Sequence, residues 1–172
     1  MTHLVLVGMM GTGKTTVGRI LAERLGMPFS DSDEHVASRT GRTVREISHA
    51  EGEAAYRAHE TRALLDALAS AEPSVIAAAG GVVLAAANRA AIRSSGARVV
   101  WLKADPALLV DRVTSSGHRP LLDEDPAGTL HRMFHERELL YREVADSVVD
   151  VDGRDVEAVV EAVLDAIEVT EP

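Results

Sequence analysis

The chain has 172 residues, a net charge of −9, 46 % hydrophobic and 26 % charged residues, and no cysteine. This fits one soluble globular domain with a full core, and it excludes intrinsic disorder, a disulfide framework and a thiolate nucleophile. The acidic balance argues against nucleic acid as a partner, because such binders carry a basic face, and no apolar stretch is long enough to span a membrane.

His3-Leu4-Val5-Leu6-Val7 is a short, nearly all-apolar run that reads as a buried parallel strand. It follows the N-terminus too closely to leave room for a signal peptide, so a cytoplasmic protein is expected. Gly8 to Thr15 then reads G-M-M-G-T-G-K-T, which fills every fixed position of the P-loop pattern. Gly11 and Gly13 free the backbone to turn its N–H groups towards phosphate oxygens. Lys14 supplies a point charge for the β- and γ-phosphates, and the Thr15 hydroxyl suits Mg²⁺. A helix over Thr16 to Leu25, closed by Gly26, adds the positive end of its dipole. ATP is therefore expected along Gly11, Thr12, Gly13, Lys14, Thr15 and Thr16.

Met27-Pro28-Phe29 opens a second strand ending at Asp31, and Glu34 to Arg39 reads as a helix stopped by Gly41. If Asp31-Ser32-Asp33 is extended, its two carboxylates share a side. Such a pair can hold Mg²⁺ and orient an acceptor hydroxyl, or supply a helix N-cap and a solvated acid. Thr43 to Ser70 reads as mostly helix with a break at Glu51-Gly52. There Arg57 lies four residues after Glu53 and three before Glu60. It suits either a surface ion pair or a planar fork for carboxylate or phosphate. Ser74 to Ala78 is the third strand. Gly80-Gly81 follows, either opening backbone N–H groups to a ligand or making a plain turn.

Leu84 to Ser94 is a predicted helix, Ala97 to Leu102 the fourth strand and Pro106 to Thr114 another helix. Ser115 to Asp125 is polar, rich in glycine and proline, and reads as a mobile loop. Within it Arg119 is placed as an arginine finger on a closing lid would be, and Arg112 lies one turn before. Ala127 to Val144 is the next helix, carrying Arg137 and, one turn on, Tyr141. His131 and His135 have metal-pair spacing but no third ligand. Ser147 to Val149 is the fifth strand and Val156 to Ile167 the last helix. The alternation implies a three-layer α/β/α domain with a five-stranded parallel sheet, of the P-loop NTPase, nucleoside monophosphate kinase-like class.

Taken in order, these motifs resemble the shikimate kinase family over nearly the whole chain. The resemblance lies in Phe29 to Ile47, Glu51 to Glu60, the glycines after the third strand, R-P-L-L at Arg119 and R-E-L-L-Y at Arg137. It implies one kinase domain over 1–172, with a substrate-binding helical segment at about 32–61 and a lid at about 113–125. It implies ATP phosphorylating the 3-hydroxyl of shikimate in the pathway to chorismate and aromatic amino acids. Asp33 would hold the acceptor hydroxyl and serve as base, and Asp31 would position Mg²⁺ with Thr15. Arg57, Arg137, Gly80 and Gly81 would bind the substrate carboxylate. Lys14 and Arg119 would stabilise the phosphoryl group in transfer, while Arg112 and Arg154 would border the adenine. A monomer is expected, with shikimate as partner and neither nucleic acid nor membrane.

Two positions depart from the family pattern. Ala79 replaces the first of three glycines, and Ser48 stands where phenylalanine is usual. Tyr56 replaces a second aromatic, commonly phenylalanine, more conservatively. These departures keep open a related kinase for another hydroxy acid or cyclitol. A nucleotide-binding module without turnover is the remaining alternative.

Overall fold

The computed structural model describes residues 2–115 and 125–168. The elements run in chain order as β1 Leu4–Val7, α1 Lys14–Leu25, β2 Phe29–Asp31, α2 Ser32–Thr40, α3 Val44–Glu51 and α4 Glu53–Leu68. After β3 Val75–Ala77 come a 3₁₀ turn at Val82–Leu84, α5 Ala86–Ser94, β4 Arg98–Lys103 and α6 Pro106–Ser115. The chain ends with α7 Pro126–Val144, β5 Ser147–Asp150 and α8 Val156–Glu168.

The five strands form one parallel sheet in the order β2-β3-β1-β4-β5. Strand alternation sorts the helices into layers. A side chain at Gly18 of α1 would lie 3.4 Å from Leu6, so α1 covers the Leu6 face. Leu6 pairs with Val100, and the next pair, Val7 with Trp101, faces the other way. There Trp101 stacks on Tyr141 of α7 at 5.6 Å. Helices α1 and α8 pack together, as do α6 and α7. The sheet is therefore sandwiched, and β1 and β4 are buried on both faces, which is why they read as continuous apolar runs.

A second, smaller core of Val36, Ile47, Tyr56 and Ala63 ties α2, α3 and α4 together. Thr43 and Glu46 form a reciprocal capping box that starts α3. Gly52, at φ +86°, separates α3 from α4 where the sequence predicted a break. This helical segment carries Asp33, Arg57 and Glu60 to the carboxyl edge of the sheet, where ligands of parallel sheets bind.

The elements differ from expectation mainly at their ends. The first helix begins at Lys14, so the P-loop lysine opens it. The predicted Leu84–Ser94 helix is divided by extended Ala85, between the 3₁₀ turn and α5. The predicted Ser115–Asp125 loop and its Arg119 lie, but for the ends, outside the described residues.

Candidate active site

The P-loop is built by backbone conformations that only glycine adopts readily. Gly8, Gly11 and Gly13 have φ of 146°, 81° and 92°. A methyl on Gly8 would also overlap the Leu102 carbonyl of β4. The Thr12 hydroxyl, 3 % exposed, donates to Met9 O at 2.9 Å and pins the turn from inside. Lys14 Nζ donates to Gly8 O at 2.9 Å and to Met9 O at 2.8 Å, so the ammonium sits over the loop. The first helical bond of α1 runs from Val17 N–H to Gly13 O, and Gly13 supplies no side-chain cap. The amides of Lys14, Thr15 and Thr16 precede that ladder, an arrangement that attracts phosphate. Arg112 leans on the same loop, its Nη1 at 3.4 Å from Gly11 O. Arg154 is exposed beyond β5 at the same edge of the sheet.

Asp31 does two jobs. Its Oδ1 caps α2 by accepting from the N–H groups of Asp33 at 2.9 Å and Glu34 at 3.2 Å. Its Oδ2 accepts from the Thr15 hydroxyl at 2.7 Å. The two sequence readings of this carboxylate are therefore compatible. The expectation that Asp31 and Asp33 share a strand face is corrected, because α2 begins at Ser32 and Asp33 lies in its first turn. The Asp31 cap starts that helix early. Between the two acids, Ser32 is buried and its Oγ accepts from Ala79 N–H at 3.2 Å. That bond ties α2 to the segment after β3.

Arg57 projects from α4 with its side chain 22 % exposed. It pairs with Glu60 at 2.7 Å and Glu53 at 3.3 Å. The ion-pair reading therefore holds, with the guanidinium part-buried rather than on the surface. Its guanidinium covers the Tyr56 ring at 4.6 Å and rests on Gly81, where any Cβ would overlap it. Glu60 is 6 % exposed, and its pKa is raised above the ordinary carboxylate value. Burial pushes it up, Arg57 pulls it down, Asp33 pushes it up and Arg137 pulls it down. These four groups thus share one field. The pair is asymmetric. Burial works against the Arg57 charge, but Glu60 outweighs it and leaves the Arg57 pKa raised. A cavity of about 180 Å³ beside the pair is lined by Glu53, Arg57, Glu60, Gly81, Val82 and Asn88.

Arg137 is 4 % exposed, against the usual surface position of a helical arginine. Its Nε has no hydrogen-bond partner among the described residues. A buried, unmatched guanidinium N–H is costly unless something fills it. One turn on, the fully buried Tyr141 hydroxyl donates to Gly80 O at 2.6 Å. Gly80 in turn abuts the P-loop, since a Cβ there would lie 3.2 Å from Gly8 O. Neither Gly80 nor Gly81 has a positive φ; close approach of backbone favours glycine at Gly80, and the guanidinium of Arg57 occupies the space at Gly81. Ala79 also lies outside the left-handed region and bears no backbone strain.

The chain therefore brings together Lys14, Thr15, Asp31, Asp33, Arg57, Gly80, Gly81 and Arg137 around the ends of β1, β2 and β3. His131 and His135 are both exposed. Among the described residues no cluster of three or more His, Asp or Glu suits a metal ion. Sequence reasoning treated Glu60 only as a helix-surface partner of Arg57. It also overlooked the link from Ser32 to Ala79 and that from Tyr141 to Gly80. An acid at i+3 from a candidate clamp arginine was the available signal for Glu60. The other two contacts cross between distant segments and leave none.

The shikimate kinase family model matches residues 10–168. The shikimate kinase of Streptomyces coelicolor is 45 % identical over 98 % of this chain and 96 % of its own length. That of Pseudomonas entomophila is 42 % identical over 100 % of this chain and 99 % of its own. A solved shikimate kinase from Acinetobacter baumannii, in complex with shikimate, aligns with a TM-score of 0.94 at 35 % identity, covering 99 % of this chain and 95 % of that one.

Proposed function

The chain belongs to the shikimate kinase family and is an ATP-dependent small-molecule kinase, and from that premise we propose how its residues phosphorylate the shikimate 3-hydroxyl. Arg57 and Arg137 clamp the substrate carboxylate, joined by the Gly80 and Gly81 backbone. Asp33 accepts the hydroxyl proton as the acceptor oxygen bonds to the γ-phosphorus and the bond to the β-phosphate oxygen breaks. Lys14 moves from the loop carbonyls onto the β- and γ-phosphates. Arg119, outside the described residues, reaches the same charge from the lid, and Arg112 and Arg154 border the adenine. Phosphoryl transfer needs mainly positioning and electrostatics, and these groups supply both.

The Thr15 hydroxyl and the Asp31 carboxylate, 2.7 Å apart, are hard oxygen donors of the kind Mg²⁺ takes. Thr15 and Asp31 would hold Mg²⁺ there, and the ion would supply positive charge to the β- and γ-phosphates. A cytoplasmic monomer that binds neither nucleic acid nor membrane belongs to the same proposal. No described helix is long and apolar enough to cross a membrane.

The observation that carries the acidic-acceptor reading is the buried Arg137, whose Nε lacks a partner among the described residues while sharing a field with Asp33 and Arg57. The test is ADP release with Mg-ATP and shikimate, quinate, gluconate or no acceptor. Shikimate alone is expected to raise the rate strongly. No rate above the blank with shikimate sinks the reading. A rate with gluconate alone promotes a kinase for another hydroxy acid, the alternative raised by Ser48 and Ala79.

A further inference from the structure

The Tyr141 hydroxyl is buried, yet it donates to a backbone carbonyl 61 residues away. That carbonyl belongs to the Gly80–Gly81 peptide. Among the described residues no peptide bond is cis, so the Gly80 C=O and the Gly81 N–H point in opposite directions along one rigid plane. Holding the carbonyl towards α7 therefore turns the Gly81 N–H away from it. Among the described residues this N–H has no hydrogen-bond partner. On Gly81 rests the guanidinium of Arg57. On α7, Arg137 lies one turn before Tyr141, so the two side chains emerge from one helix face.

We propose that Tyr141 is a positioning residue of the acceptor site, its hydroxyl fixing the Gly80–Gly81 peptide so that the Gly81 N–H faces the carboxylate clamp of Arg57 and Arg137. The inference rests on the acceptor-site reading above and adds to it the device that aligns the clamp. One hydroxyl sets two donors at once. It orients a backbone N–H, and it holds the helix bearing Arg137 in register with the loop touching Arg57. The same loop abuts Gly8 O, so the bond also fixes the acceptor side against the P-loop. The phenol is well suited to a fixed task. It is fully buried, it stacks on Trp101 at 5.6 Å and 26°, and burial pushes its pKa up to about 12, so it remains a donor at every working pH.

The test is Tyr141→Phe, which removes one oxygen and keeps the ring stack. The expected result is a rise in shikimate KM of about three- to tenfold, the value of one net hydrogen bond, with ATP KM unchanged. A purely structural role would lower Tm and leave both KM values alone or shift them together, and either pattern overturns the proposal. Should the variant not fold, the Gly81 amide of the unaltered enzyme gives the answer by NMR. Saturating shikimate is expected to move its proton resonance downfield, and an unmoved resonance overturns the proposal. The unaltered enzyme separates the two levels. Absence of shikimate-dependent ADP release there refutes the functional reading, and the inference with it. Normal release with an unchanged Tyr141→Phe refutes the inference alone.

Discussion

The guanidinium of Arg57 rests on the α-carbon of Gly81, so closely that no side chain fits between them. A side chain there would have to push the guanidinium aside, whereas φ, at −90°, would admit any residue. The contact joins α4 to the segment after β3 and sets the distance between a backbone N–H and an arginine fork. Gly81→Ala is therefore expected to displace Arg57 and raise shikimate KM at least about tenfold, a loss of roughly 1.4 kcal/mol, with little effect on ATP KM. Steady-state kinetics with each substrate varied in turn check this. An equal rise in both constants would mean that the loop serves the nucleotide as well.

Asp33→Asn keeps the shape of the side chain and removes the base. The expected outcome is a fall in kcat of about 10²- to 10⁴-fold, with ATP still binding, as for loss of general-base catalysis. Turnover together with ATP titration measures it. Unchanged turnover would remove Asp33 from the chemistry.

Arg137→Ala takes away a buried charge-assisted donor. Shikimate KM is expected to rise by about ten- to a hundredfold, from the roughly 1.5–3 kcal/mol of a hydrogen bond to a charged group. An effect confined to ATP KM would place the clamp elsewhere.

Glu60 gives a pH signature. Burial raises its folded pKa above 4.5. Its folded form thus holds a proton more tightly than its unfolded form. The contribution to stability is fully present below 4.5 and is lost as pH rises through the raised folded pKa. Function runs the other way, because Arg57 needs the charged partner. As pH falls through that pKa, shikimate KM is expected to rise, and Glu60→Gln should remove this acid limb. A KM profile that is the same in both proteins would contradict the assignment.

Tyr56 is 4 % exposed and its hydroxyl lacks a partner among the described residues. A buried hydroxyl without a partner costs about 1–3 kcal/mol. Tyr56→Phe is therefore expected to leave Tm unchanged or raise it, read by calorimetry without ligand. A clear fall in Tm would show that the hydroxyl contributes a stabilising contact.

Sheet and P-loop were legible in the sequence because their signals are local. Val5, Leu6 and Val7 are continuous and apolar because both faces of β1 are covered. The three P-loop glycines mark the strained positions of the loop. The acceptor side was only half legible. Arg57 and Arg137 were singled out by residue type and motif, and the burial of Arg137 was marked only by its place in the helical stripe of Leu130, Met133, Tyr141 and Val144. Asp33 was assigned to an extended segment because the cap that starts α2 is Asp31 itself, and a residue cannot be read as strand end and helix cap at once from spacing. The contacts of Ser32 with Ala79 and of Tyr141 with Gly80 span 47 and 61 residues. Only the assembled sheet brings those partners together.

The central claim is that this cleft transfers the γ-phosphate of ATP to one hydroxyl of shikimate. Phosphorus–proton correlation NMR of the product made from Mg-ATP and shikimate tests it directly. The account predicts one new phosphate ester, coupled to the proton on carbon 3 and formed in step with ADP. An ester at another carbon, or ADP release without any new ester, would contradict it.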